Sequence, residues 1–271
     1  NNIILSFIAR KIKNLKLILV ERTPLEELDI IFSIKDFFKK QIIKILIRIS
    51  YKNADIIVSN SNGIKKSLLK YVKKPIITIY PPAIKNINHV KKTNKIVIKN
   101  ILCLSRLSEE KNIETAIIAM KYLKKFKIKL NIYGDGKEKN KLKNLIKYLN
   151  LKNSVFLKKY SNNTFSIFKK HQVLVSTSLF EGCGNSIIES INNNLIILSS
   201  NCPGGNSEIL LNGKGGFFFK TSDPIDLSHK LKNIVKTPNK SHNKTIVAKK
   251  FLKRFLISNN LSAYKQIFDK I

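Results

Sequence analysis

Two carboxylates eight positions apart, Glu181 and Glu189, bracket the run E-G-C-G-N-S-I-I-E. Between them Gly182, Cys183, Gly184 and Asn185 form a loop whose glycines let the backbone come close to an anion. An apolar run at 173–175 ends in small polar residues before the loop, and a short helical pattern carrying Glu189 follows it. The order is strand, glycine loop, helix, and the free N–H groups and positive dipole end of such a helix point at a bound anion. Two carboxylates so placed can accept hydrogen bonds from two sets of hydroxyls. The unit therefore suits a ligand with a diphosphate and sugar hydroxyls. A plainer reading competes: Ser186 and Glu189 stand at capping-box spacing, in which case Glu189 only closes the helix start.

The elements that must position this loop read as alternating strands and helices. Strands are expected at 16–20, 54–61, 75–80, 101–105, 127–133, 155–157, 173–175, 195–199 and 217–219, each bounded by polar, glycine or proline residues. Helices are expected near 63–71, 113–120, 137–149 and 164–170, and a further one opens at Asp223-Pro224, a cap followed by proline at the first helical position. Asn112 and Asn206 or Ser207 are read as helix caps. Over 30–49, Ile31, Ile34, Phe38, Ile42, Ile45 and Ile49 recur at helical spacing among lysines. That stripe fits a helix packed on a sheet, or one lying on a membrane surface. His171 is read as a core or strand-edge residue. Residues 89–98 form a polar linker, 236–244 a polar break, and 246–271 one last helix. Strands alternating with helices of these lengths argue for parallel sheets covered on both faces, with ligands beyond the carboxyl ends of the strands.

The E-x7-E run, with L-I-I-L-S-S-N-C-P-G-G-N-S-E-I-L after it, resembles the retaining glycosyltransferases of the GT4 family, especially members that build bacterial surface glycans. Arg106-Leu107-Ser108-Glu109-Glu110-Lys111 resembles that family's G-R-L-x-x-x-K-G segment, with Ser105 and Asn112 in place of its two glycines, and Gly134-Asp135-Gly136 its G-x-G turn. The resemblance implies an α/β GT-B architecture. It would comprise a partial N-terminal Rossmann-like domain at 1–93 on the acceptor side, a complete nucleotide-sugar-binding Rossmann-like domain at 94–245, and a helix at 246–271 crossing back. It implies transfer of a hexose-type sugar, with retention, from a nucleotide-sugar, UDP-linked by expectation, to a glycan or polyprenyl-linked lipid acceptor. Glu181, Arg106 and Lys111 would be catalytic. Glu189, Gly182, Cys183, Gly184, Asn185 and Gly134 would bind substrate, with no metal and no further cofactor. The one methionine is Met120 and the family's early strands and acceptor-side histidine have no counterpart, so an upstream segment is expected.

Composition bounds the alternatives. Fifty-one Lys and Arg against 17 Asp and Glu give a formal charge of +34, yet the lysines are scattered among Ile and Asn rather than clustered with stacking aromatics. That distribution speaks for compositional bias and against specific nucleic-acid binding, although the charge attracts anionic lipid and anionic substrates. Cys103, Cys183 and Cys202 have no metal spacing and are odd in number, which fits a reducing cytoplasm. The expected location is cytoplasmic, or peripheral on the inner face of the plasma membrane. Two other readings stand beside the enzyme: a non-catalytic nucleotide-binding remnant or partner subunit, and a polyanion-binding protein.

Overall fold

The computed structural model describes residues 2–9, 11–31, 33–90, 95–161 and 163–270. Residues 91–94, which hold the expected domain boundary and the middle of the expected linker, lie outside the described residues, as do Asn1 and Ile271.

The first lobe carries a parallel three-stranded sheet in the order β1 (Ile18–Glu21), β2 (Ile56–Ser59), β3 (Ile76–Thr78). Its helices are α1 (Asn2–Ala9), α2 (Ile34–Ser50) and α3 (Asn62–Leu69). Side chains alternate across β2: Ile57 joins Leu19, Ile47, Ile64 and Leu68 on one face, while Val58 joins Ile79 and Ile267 on the other. Ser61 caps α3, its hydroxyl accepting from the Ile64 N–H at 3.2 Å.

The second lobe carries six parallel strands: β4 (Asn100–Leu104), β5 (Lys129–Tyr133), β6 (Val155–Lys158), β7 (Val173–Ser176), β8 (Ile196–Ser200) and β9 (Phe217–Phe219). They lie in the order β6-β5-β4-β7-β8-β9, the doubly wound arrangement whose strand order reverses between β4 and β7. Between them run α4 (Ile113–Lys121), α5 (Lys139–Tyr148), α6 (Thr164–Lys169), α7 (Asn185–Asn192), α8 (Asn206–Ile209) and α9 (Pro224–Lys236). Alternation again sorts the core. Ile101, Ile132, Val173, Val175 and Leu198 face α4, α5 and α9, while Leu102, Leu174 and Ile197 face α6 and α7. Both faces are covered, which is why these strands read as continuous apolar runs.

Three expectations change. The chain between 236 and 244 is no polar break: a single residue, Thr237, separates α9 from α10 (Pro238–Lys249), with Pro238 at its first turn and Ser241, His242 and Thr245 buried. The last helix is not continuous from 246, because Leu256 is extended and α11 (Ile257–Phe268) begins anew. The break serves the return crossing. The N–H groups of Ala83 and Ile84 donate to the Phe255 carbonyl, and the Ile257 N–H donates to Ile84, so the two crossings between lobes run side by side. α11 then covers the open face of the first sheet through Ile267. The expected stripe Ile31, Ile34, Phe38, Ile42, Ile45 and Ile49, of which Ile31 precedes α2, does not pack on the sheet: these residues are 47–79% exposed, and Ile47 and Ser50 of α2 face inward instead.

Candidate active site

At the reversal of strand order, the carboxyl ends of β4 and β7 diverge around a cavity of about 230 Å³. Ser105, Lys111, Ser178, Glu181, Gly184 and Asn185 are among the residues that line it. Lys111 sits in a short 3-10 turn, Glu109–Lys111, after β4. That turn is fastened to the loop after β7, since Thr177 Oγ1 donates to the Lys111 carbonyl at 2.6 Å and the Leu179 N–H donates to Glu110 at 2.8 Å. The Lys111 ammonium then meets the Glu181 carboxylate at 2.7 Å, and Ser178 Oγ donates to the same oxygen at 2.9 Å. Only 15% and 19% of the two charged side chains reach solvent, so the pair is screened less than a surface salt bridge and is held in one geometry.

The Glu181 backbone is fixed by the loop after β8. Its N–H donates to Pro203 and its carbonyl accepts from the Gly205 N–H, both at 3.1 Å. Gly204 has φ +116°, and a Cβ there would stand 1.7 Å from the Glu181 carbonyl oxygen. A Cβ on Gly182 would stand 1.7 Å from the Arg22 carbonyl oxygen of the first lobe. The glycine loop is thus where the lobes approach, and any larger residue would push them apart.

Glu189 lies one helical turn beyond Asn185, on the same face of α7, and is not itself among the residues that line the cavity. It is no capping residue: Gly184 holds the N-cap position and no side chain caps the helix, so the capping-box reading falls. Among the described residues its carboxylate has neither a hydrogen bond nor an ion pair, and burial pushes its pKa up. A half-buried carboxylate without a partner is a stability cost that a ligand's hydroxyl can relieve.

Arg106 differs from its expected placement. Its side chain is 78% exposed and engages Glu110 at 3.1 Å, outside the cavity lining. Burial raises the Glu110 pKa, but a hydrogen bond from Ser108, its own backbone, and the charges of Arg106 and Lys111 outweigh this and hold it below the usual range. Gly134 does not line the cavity either. It lies under it, where a Cβ would be 1.9 Å from the Ser105 carbonyl oxygen. Gly182 faces the first lobe, while Cys183 lines the cavity with a buried thiol whose pKa burial pushes far up, which leaves it inert as a nucleophile. Asn112 caps nothing. It occupies the left-handed region at φ 46°, which asparagine tolerates better than most residues, at the position where the resemblance puts a glycine. Asn206 is buried, with its amide on Ser199 Oγ at 3.1 Å, and Gly205 stands at the α8 N-cap.

Sequence reasoning did not single out Ser178, Thr177 or Glu208. Ser178 and Thr177 follow a strand directly, which was the available signal. Glu208 gave none, because its partners, Asn62 and Tyr80, lie 146 and 128 positions away.

Two lobes of parallel sheet and a polar cavity at the strand-order reversal define a GT-B protein. A family model described as "Glycosyl transferases group 1" matches residues 83–251, and the chain belongs to that family. It is 33% identical over 227 residues to an uncharacterized glycosyltransferase of Methanocaldococcus jannaschii, covering 77% of this chain and 53% of that protein. It is 30% identical over 241 residues to the N-acetylgalactosamine-N,N'-diacetylbacillosaminyl-diphospho-undecaprenol 4-alpha-N-acetylgalactosaminyltransferase of Campylobacter jejuni, covering 82% and 66%. Among solved structures, HepE of Anabaena in complex with UDP-glucose superposes with a TM-score of 0.79 at 16% identity, covering 99% of this chain and 75% of that one. The chain thus spans about half to two thirds of the length of these two relatives.

Proposed function

We propose that this chain carries the donor site of a glycosyltransferase that moves a hexose-type sugar from a UDP-linked donor to a glycan or lipid-linked acceptor, with retention of configuration. The observation that carries the reading is the Lys111–Glu181 pair, 2.7 Å apart, in the cavity between β4 and β7 at the mouth of an uncapped helix. Nucleotides bind at such strand-order reversals, with phosphates at a helix N-terminus. The likeness to a UDP-glucose complex supports the choice of donor, and the diphospho-undecaprenol in the Campylobacter relative's name supports a lipid-linked acceptor.

In this reading Glu189 accepts hydrogen bonds from the ribose hydroxyls, satisfying its unpartnered carboxylate. Glu181 holds the transferred sugar, and the backbone of 182–185 meets the phosphates. Lys111 faces the departing diphosphate, and Arg106 reaches it by leaving Glu110. Negative charge on the diphosphate grows as the glycosidic bond breaks, so both cations act more strongly on the transition state than on bound substrate. The chemistry asks for no metal beyond them. Exposed Phe38, Ile42 and Ile45, with Lys35, Lys39 and Arg48 beside them on α2, support peripheral contact with an anionic membrane on the cytoplasmic side. The test is a screen of nucleotide-sugars with the intact protein, followed by mass measurement of the product. A mass gain of one hexose-type unit from a UDP-linked donor is expected; no gain with any donor would overturn the reading.

A further inference from the structure

Away from the cavity, one carboxylate of the second lobe gathers several contacts from the first lobe and from the crossings between the two. Glu208, on α8 of the second lobe, accepts the Asn62 N–H at 2.8 Å and the Asn62 side-chain amide at 2.6 Å. The Tyr80 hydroxyl donates to it as well. Asn62 is the first residue of α3, so the carboxylate also faces the positive end of that helix. Tyr80 leads into the outward crossing between lobes. Its ring stands edge-on to Phe255 at 5.3 Å and lies 5.1 Å from the Arg254 guanidinium, both on the return crossing. Arg254 Nη2 in turn donates to the Glu208 carbonyl at 2.9 Å. Glu208 therefore touches α3 and both crossings at once.

Beside this junction, Ser61 Oγ donates to the Gly182 carbonyl at 3.0 Å. Three residues before Glu208, Gly205 holds the Glu181 backbone. A structural role confined to α8 does not account for the pattern, because the carboxylate bonds across 146 positions rather than to its own four-residue helix.

We propose that Glu208 is a positioning residue, a latch that sets the separation of the lobes and thereby the distance from the Lys111–Glu181 pair to an acceptor on the first lobe. Rotation about the paired crossings must stretch the Glu208–Asn62 and Ser61–Gly182 contacts, whereas Tyr80 and Arg254 lie at the crossings themselves. The donor contacts sit in the second lobe alone. Loss of the latch therefore misplaces the acceptor and leaves nucleotide binding intact. The kinetic part of this inference rests on the donor reading given above; the geometric part does not.

The experiment uses the intact protein with cysteines introduced at exposed Lys66 on α3 and exposed Lys143 on α5. Spin labels go to these sites because the three native cysteines are buried. Pulsed dipolar distances, turnover and calorimetric titration with UDP are compared for wild type, E208A, E208Q and Y80F. E208A is expected to lengthen and broaden the distance distribution and to lower turnover about a hundredfold, as expected when reacting groups shift by an ångström, with UDP affinity unchanged. E208Q keeps an oxygen for Asn62 and should recover part of both losses. Y80F, the milder change, should broaden the distances without lowering the melting temperature as E208A does. Wild-type distances in both E208A and Y80F would overturn the latch, and so would UDP affinity falling in step with turnover. If wild type neither binds UDP nor transfers sugar, the donor reading fails while the distances still decide the latch.

Discussion

The three side chains proposed to carry the chemistry, Lys111, Glu181 and Arg106, stand in different environments. Lys111 and Glu181 are mostly buried, paired and fixed by Ser178, whereas Arg106 is exposed and tied to Glu110. Removing a preorganised charge partner of a departing group costs about a hundred- to a thousandfold in turnover, which is the expectation for Lys111→Ala in steady-state kinetics. Arg106→Ala should also lose about a hundredfold; a loss below about tenfold would show that Arg106 stays with Glu110 during turnover. Glu189 makes a different prediction. Burial raises its folded pKa above the unfolded value, so the fold binds this proton more tightly, and stability falls as pH rises through the folded value. Glu189→Gln, uncharged at every pH, is therefore expected to melt higher than wild type at neutral pH. Scanning calorimetry should show that advantage shrinking as pH falls towards the ordinary glutamate value of about 4.3; an advantage that grows towards low pH would contradict it.

At the scale of elements, much was legible because the local signals agree. Short apolar or alternating runs bounded by polar residues or glycine mark the strands of the second sheet, and Asp223-Pro224 marks α9, where the Asp223 carboxylate accepts the Ile225 and Asp226 N–H groups at 3.0 and 2.9 Å. Asp223→Ala is expected to cost about 1 kcal/mol, measured by denaturant unfolding. What failed locally failed for a reason. Residues 250–256 contain no proline or glycine, so nothing in the sequence marks the break between α10 and α11; hydrogen bonds to Ile84 on the other crossing impose it. On α2 apolar residues occupy more than one stripe, and periodicity cannot say which of them faces the core. Ile47 does, while Phe38 and Ile42 face water.

At the scale of the molecule, the sequence shows the two carboxylates and the basic segment but not their meeting. Lys111 and Glu181 are 70 positions apart, and Glu208 and Asn62 are 146 apart. Only the closure of parallel strands around one reversal point, and the crossing of the chain back to the first lobe, bring them together. The exposed α2 face predicts a second property: Phe38→Asp with Ile42→Asp should reduce co-sedimentation with vesicles of anionic lipid, and added salt should weaken what binding is left. Equal binding by wild type and the double variant would remove α2 from any membrane contact.

The central claim is that the cavity between β4 and β7 holds a nucleotide diphosphate, with Lys111 on its phosphates and Glu189 on its ribose. Isothermal titration of the intact protein with UDP tests it most directly. Saturable binding by wild type, weakened about tenfold or more in both Lys111→Ala and Glu189→Ala, is the predicted result. Binding by both variants as tight as by wild type, or none by wild type, would contradict the account.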